Sequence, residues 1–186
     1  MSEPSFALAE RRSFAVPIVI AVACFAAAVL LAIHFFPVTT VAVTPLHTSL
    51  LPTHTVYKSH SIVLGQDHSE DVLFVAETLH IDNKTRNPVT LDGFHIILTD
   101  PTGAQLTEES VNKHDLPALE TTFPAIKPLE GNRLHSETVL QPGQTIDGTL
   151  LFSIPVPQPV WDTRKDASIQ LDLYHLKPVF QVIPKA

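Results

Sequence analysis

Roughly 23 consecutive residues, Phe14–Phe36, contain no Asp, Glu, Lys or Arg. They read FAVPIVIAVACFAAAVLLAIHFF. A helix of that length covers about 34 Å, against a hydrocarbon core of about 30 Å. The stretch therefore predicts one transmembrane helix and divides the chain. Residues 1–13 become a tail, 14–36 a signal anchor, 37–52 a linker, and 53–186 a polar domain. Arg11 and Arg12 abut the span on its N-terminal side, and no Lys or Arg follows until Lys58. The positive-inside rule then places the N-terminus in the cytoplasm and the domain in an extracytoplasmic, periplasmic position, in a single pass of the inner or plasma membrane. A cleaved signal peptide is the rival, but it needs a shorter apolar run and a small-x-small exit. Here the exit is His34-Phe35-Phe36-Pro37, which favours an uncleaved anchor. Glu10-Arg11-Arg12-Ser13-Phe14 resembles a twin-arginine signal only faintly, lacking the hydroxyl residue before the pair and the Lys after Phe14.

The only cysteine, Cys24, lies inside the span. The outer domain thus has no disulfide and must be held by packing. Residues 37–186 carry 10 Lys and Arg against 17 Asp and Glu. That balance disfavours nucleic acid and anionic lipid headgroups as partners of the domain.

Beyond the span the hydropathy pattern is that of an all-β domain. Val38–Pro52 is rich in Thr and Val, broken by Pro45 and Pro52, and reads as a stalk with some strand character. Thr53–Leu64 reads as the first strand. Asp71–Asp82 is the strongest: Val72–Ala76 is apolar on both faces, then Leu79 and Ile81 alternate with Thr78 and His80. In the next strand Val89 and Leu91 are followed, after Asp92-Gly93, by Phe94, Ile96 and Leu98. That change of parity predicts a bulge at Asp92-Gly93. Asp100-Pro101-Thr102-Gly103 is a type I turn signal and Gln141-Pro142-Gly143-Gln144 a type II signal. Leu134–Leu140 reads as a strand. Ile146, Gly148, Leu150, Phe152 and Ile154 then alternate inward, with Thr149 among the outward residues. Trp161 is expected to plug an end of the core. Ser168–His175 and Val179–Ile183 complete seven to eight strands. These predict an immunoglobulin-like antiparallel β-sandwich, without the Cys…Trp…Cys pattern of antibody domains. Residues 108–131 break the β pattern. Val111, Leu116, Leu119 and Phe123 are helically spaced, and Asp115 and Pro117 fit the start of a short helix. A short helical insert crossing an end of the sheets is expected.

Two stretches carry a family resemblance. One is Leu79-His80-Ile81-Asp82-Asn83-Lys84 with Asn87-Pro88-Val89-Thr90-Leu91 and Leu98–Gly103. The other is Leu140–Phe152. Together they resemble the telokin-like, immunoglobulin-like domains of uncharacterised bacterial single-span membrane-anchored proteins and lipoproteins, over roughly residues 53–180. The resemblance implies a fold and a location. It implies no catalytic residue and no ligand.

The chemistry-bearing patterns are sparse. There is no phosphate loop, Cys-x-x-Cys, His-Glu-x-x-His or nucleophile elbow, so no enzyme and no cofactor is predicted. Glu77 stands apart, since its parity puts it on the side of Leu79 and Ile81. A buried hydrogen bond or a solvent-facing edge position would each account for it. Histidine is abundant, with ten residues. His47, His54, His60 and His68 cluster in the linker and first strand and offer an alternative metal set for Zn or Cu. Their spacings of seven, six and eight match no known zinc motif. Asn83-Lys84-Thr85 is a glycosylation sequon whose chance occurrence is the simpler reading. The function expected is a non-enzymatic protein-binding or scaffolding module of the cell envelope. Leu116, Phe123, Ile126 and Leu129 are its candidate partner-binding residues, with a lid over the core as the competing role for the same side chains.

Overall fold

The computed structural model describes residues 15–35, 41–57, 68–129 and 131–185. The chain divides into two units, Met1–Thr39 and Thr40–Ala186. In the first, α1 runs 21 residues, Ala15–Phe35. Pro17 sits in its first turn, where its missing N–H costs little. Ile18, Val22, Phe25 and Leu30 are all exposed, so the helix is apolar all round and has no amphipathic face. Side chains are described for residues 17–31 of it. Among the described residues, no helix is long and apolar enough to cross a membrane.

The second unit is a β-sandwich. Its strands are β1 (Val41–Tyr57), β2 (His68–Asn83), β3 (Val89–Thr99), β4 (Gln105–Glu109), β5 (Val139–Leu140), β6 (Thr145–Ile154), β7 (Asp166–Leu173) and β8 (Val179–Val182). One sheet has the order β1-β2-β6. The other has β4-β3-β7-β8, with β5 also pairing β3. Every named pairing is antiparallel. Between the sheets lie Leu73, Val75, Leu79 and Ile81 of β2, with Phe94, Ile96 and Leu98 of β3, Leu150, Phe152 and Ile154 of β6, and Ile169 and Leu171 of β7. These are the alternating rows expected of sandwich strands. The β3–β7 register shifts between Leu91 and Gly93, the bulge that the parity change required. Asp100 Oδ1 accepts hydrogen bonds from Thr102 Oγ1 (2.6 Å), Gly103 N (2.8 Å) and Ala104 N (2.9 Å), closing the β3–β4 turn. The Thr102 hydroxyl, with those backbone amides, holds the Asp100 carboxyl below its ordinary range.

Three expectations are corrected. Residues 41–52 are not a linker before the domain. They form most of β1, pairing β2 from Val41↔Asn83 onward, with Val41 and Val43 buried. Pro45 and Pro52 concealed this, because proline is excluded from central strands but tolerated at an edge or a bulge. The register indeed shifts between Pro45 and His47. Second, the strand expected over Leu134–Leu140 shrinks to Val139–Leu140, the rest being irregular chain with a turn at Ser136-Glu137. Third, Thr149 does not face solvent but is buried, its Oγ1 3.0 Å from Thr78 Oγ1. Asn83 of the sequon is fully buried, in keeping with a chance match. Its Nδ2 donates to Leu140 O (2.9 Å), Asn87 O (3.0 Å) and Gln141 O (3.2 Å), while Oδ1 accepts from Thr85 N and Oγ1. It is a structural tie between two turns and has no amide left to carry a glycan.

The insert contains α2 (Leu116–Thr122) followed by a 3₁₀ helix (Pro124–Leu129). It covers the outer face of the three-stranded sheet. Leu116 and Ile126 are buried there with Phe74 and Ala76 of β2 and Leu151 of β6, flanked by Phe123 and Leu129. Trp161 lies in α3 (Gln158–Asp162) and is buried in the inter-sheet core, as a plug at its end.

Candidate binding cleft

The insert residues do not form an open surface. Leu116 is 9% and Ile126 0% exposed, and Phe123 stacks at a tilt on Phe74 with ring centroids 5.3 Å apart. Leu129 is half-buried in the same cluster. These four side chains serve as a lid: β2 and β6 are apolar on this face as well and must be covered.

The histidine set does not converge either. His47 and His54 lie seven residues apart on β1 with no register shift between them, so they stand on opposite faces. His54 Nδ1 meets Asp71 Oδ1 of the paired strand at 2.7 Å. His60 and the side chain of His68 lie outside the described residues. Among the described residues, no three His, Cys, Asp or Glu side chains are placed to hold a metal ion.

A different constellation does assemble. A cleft of about 530 Å³ is lined by Pro45–Thr48 and Leu50 of β1, Glu77 of β2, Trp161, Asp162 and Arg164 around α3, and Pro184 and Lys185 after β8. Its volume lies in the range of small-molecule sites, about 300–1,000 Å³. Glu77 belongs to the inward row of β2, between Val75 and Leu79, and pairs with Thr48 of β1. It is 0% exposed, and neither carboxylate oxygen has a hydrogen-bond partner. Among the described residues, it forms no ion pair within 4.0 Å. Burial pushes its pKa up to about 7, while the Thr48 hydroxyl, too loosely placed to count as a hydrogen bond, and the Arg164 charge pull less strongly the other way.

Arg164 is the second buried ion. Its Nη1 donates to Trp161 O (2.9 Å) and its Nη2 to Pro184 O (3.1 Å). Its guanidinium stacks over the Trp161 ring, 4.2 Å from the centroid. Those bonds fix α3 to the segment after β8. Nε has no partner. Burial lowers the Arg164 pKa, and Asp162, Asp166 and Glu77 partly restore it. The cleft thus holds an unpartnered acceptor and an unpartnered donor, both out of water. Each such group costs on the order of 1–3 kcal/mol when left unmade. Glu77 was visible in the sequence through its parity. Trp161, Arg164 and Lys185 were not, since they reach Glu77 only through the fold.

Two other polar pairs lie on the sheets. His80 Nδ1 meets Asp147 Oδ1, and His95 Nε2 meets Asp172 Oδ2 at 2.9 Å. They are cross-strand pairs at partly exposed positions.

No family model matches the chain, and no curated protein matches it. Solved structures that resemble it include an uncharacterised β-sandwich protein from Clostridium difficile 630, 10% identical, covering 78% of this chain and 86% of that one with a TM-score of 0.34. A functionally unknown protein from Listeria monocytogenes EGD-e is 12% identical, covers 78% and 88%, and gives a TM-score of 0.38. A conserved hypothetical protein from Bacillus anthracis is 14% identical, covers 78% and 89%, and gives 0.36.

Proposed function

We propose that this chain is a non-enzymatic binding module of the cell envelope, anchored by the charge-free stretch Phe14–Phe36 as a single membrane span, with the sandwich on the extracytoplasmic side. The charge-free sequence of α1 and the Arg11-Arg12 pair before it support the anchor and its direction. The sandwich is of immunoglobulin-like type, in keeping with its resemblance to telokin-like domains of anchored bacterial proteins. The binding site is the Glu77–Arg164 cleft rather than the insert.

One observation carries the site: Glu77 stands in a core row, buried, with both oxygens unpartnered. A carboxylate there opposes folding, which is the signature of a group kept for a ligand. A few convergent polar groups set among the apolar side chains of the lining support a binding role.

The decisive experiment is chemical denaturation of the full-length protein in detergent at about pH 8. Glu77→Leu should raise the unfolding free energy by about 1–3 kcal/mol, since an apolar side chain of similar volume removes the uncompensated charge. A loss of similar size would make Glu77 a structural member of the core and overturn the cleft as a site. Anchoring is checked separately by alkaline extraction of membranes and by reporters fused to either terminus. Release of the protein by alkali, or a cytoplasmic signal from the C-terminal reporter, would refute the topology.

A further inference from the structure

We infer that the cleft takes a small aliphatic zwitterion, an α-amino acid of the leucine class, with its ammonium on Glu77 and its carboxylate toward Arg164 Nε and Lys185. The inference rests on the cleft being a binding site and adds the chemistry of its occupant.

Three features of the lining lead there. The first is the unpartnered carboxyl of Glu77, which accepts hydrogen bonds and finds none in the protein. An incoming N–H donor is what it lacks, and an ammonium supplies three. The second is the opposite need at Arg164. Its two terminal nitrogens are occupied by backbone carbonyls, and its Nε is unpartnered. With Lys185 on the same cleft, it calls for an acceptor. The third is charge balance with an apolar wall. The lining holds two acids, Glu77 and Asp162, two bases, Arg164 and Lys185, and the imidazole of His47, beside Pro45, Leu46, Leu50 and Pro184.

A simple cation would meet Glu77 but be repelled by Arg164 and Lys185. A simple anion would meet the bases and be repelled by Glu77 and Asp162. A ligand carrying both signs close together satisfies each unpartnered atom and leaves the site neutral. The apolar residues then favour a short aliphatic body over a polar one, and polar groups in the remainder of the cleft would gain nothing from them. Glu77 also gives the binding a signature. An ammonium beside it favours the ionised form. Near pH 7 binding therefore releases a fraction of a proton from Glu77 to the buffer.

The test is isothermal titration of the full-length protein in detergent at pH 7. The probes are L-leucine, isoamylamine, which is leucine without its carboxylate, and 4-methylpentanoate, which is leucine without its ammonium. Leucine should bind at least about tenfold more tightly than either fragment. Its heat should shift between buffers of different ionisation enthalpy in the direction of proton release. Glu77→Gln should weaken leucine by about tenfold or more and abolish the proton release. Lys185→Ala, a surface change that leaves the core intact, should weaken leucine and 4-methylpentanoate but not isoamylamine. If leucine, isoleucine, valine and methionine all give no heat up to about 10 mM, the inference falls. It also falls if isoamylamine binds as tightly as leucine, because the site would then be one for cations alone. Should Glu77→Leu stabilise the protein while no amino acid binds, the cleft stands and only its occupant is wrong. Should Glu77→Leu destabilise it, both fall together.

Discussion

Ala76 and Glu77 are neighbours on β2, yet they face two very different environments. Ala76 looks outward into a sealed space. The insert has folded over that face, and Leu116 and Ile126 close it against Phe74 and Leu151. Glu77 looks inward, toward the side that should be the better packed, and there the protein leaves a cleft with an unpartnered carboxyl and an unpartnered guanidinium Nε. One side spends a whole helical insert on covering a few apolar side chains. The other leaves a buried carboxylate uncovered by any partner. The contrast separates surface that exists to be hidden from surface that exists to be met, and it does so across a single strand.

Each side makes its own prediction. The largest effect belongs to the sealed face. Phe74→Ala removes a fully buried ring and its contact with Phe123, and should lower the unfolding free energy by about 3–5 kcal/mol in urea denaturation. A change below about 1 kcal/mol would mean that the insert does not seal this face.

Next comes Asn83, at the end of the same strand. Asn83→Ala removes the side chain that ties three carbonyls and the Thr85 turn. It should cost about 2–3 kcal/mol by the same measurement. Expression in a glycosylating host should leave the mass of the folded protein unchanged at this site.

On the open side the signature is pH. The Glu77 pKa stands at about 7 in the folded protein against 4.5 as the ordinary value. Between these values the native state binds more protons than the unfolded one, so stability falls as pH rises from about 4.5 to 7 and levels above that. The contribution is about 2 kcal/mol, less than the full shift implies because the surroundings relax around a buried charge. Denaturation of wild type and Glu77→Gln across pH 5 to 8 should differ by that falling limb, and parallel curves would remove Glu77 as its source.

The smallest change refines this. Thr48→Val deletes the hydroxyl that pulls the Glu77 pKa downward. It should move the falling limb upward in pH, with a stability cost of about 1 kcal/mol or less.

Much of the sandwich could be read beforehand, for local reasons. Strand β2, the alternation of β6, the bulge at Asp92-Gly93 and the Asp100 turn are all encoded within a few residues, by parity or turn chemistry. A first strand read from Thr53 begins twelve residues after the true start of β1 at Val41, because Pro45 and Pro52 have the local character of breakers and only an edge position accommodates them. The lid was half-read: its apolar residues were recognised, but sequence alone does not distinguish a face turned to a partner from one folded back on β2. The cleft was the least legible. Its floor, Glu77, showed in the parity of one strand. Its walls come from β1, α3 and the segment after β8, and only tertiary structure brings those together.

The two prolines of β1 have a last consequence. A 17-residue strand at the rim of a sheet is a ready template on which another chain can hydrogen-bond, repeat after repeat. Pro45 and Pro52 each remove a donor from that rim, and the shift between Pro45 and His47 breaks its rhythm. Many copies crowded on one surface would therefore stay separate molecules instead of zipping into a fibre.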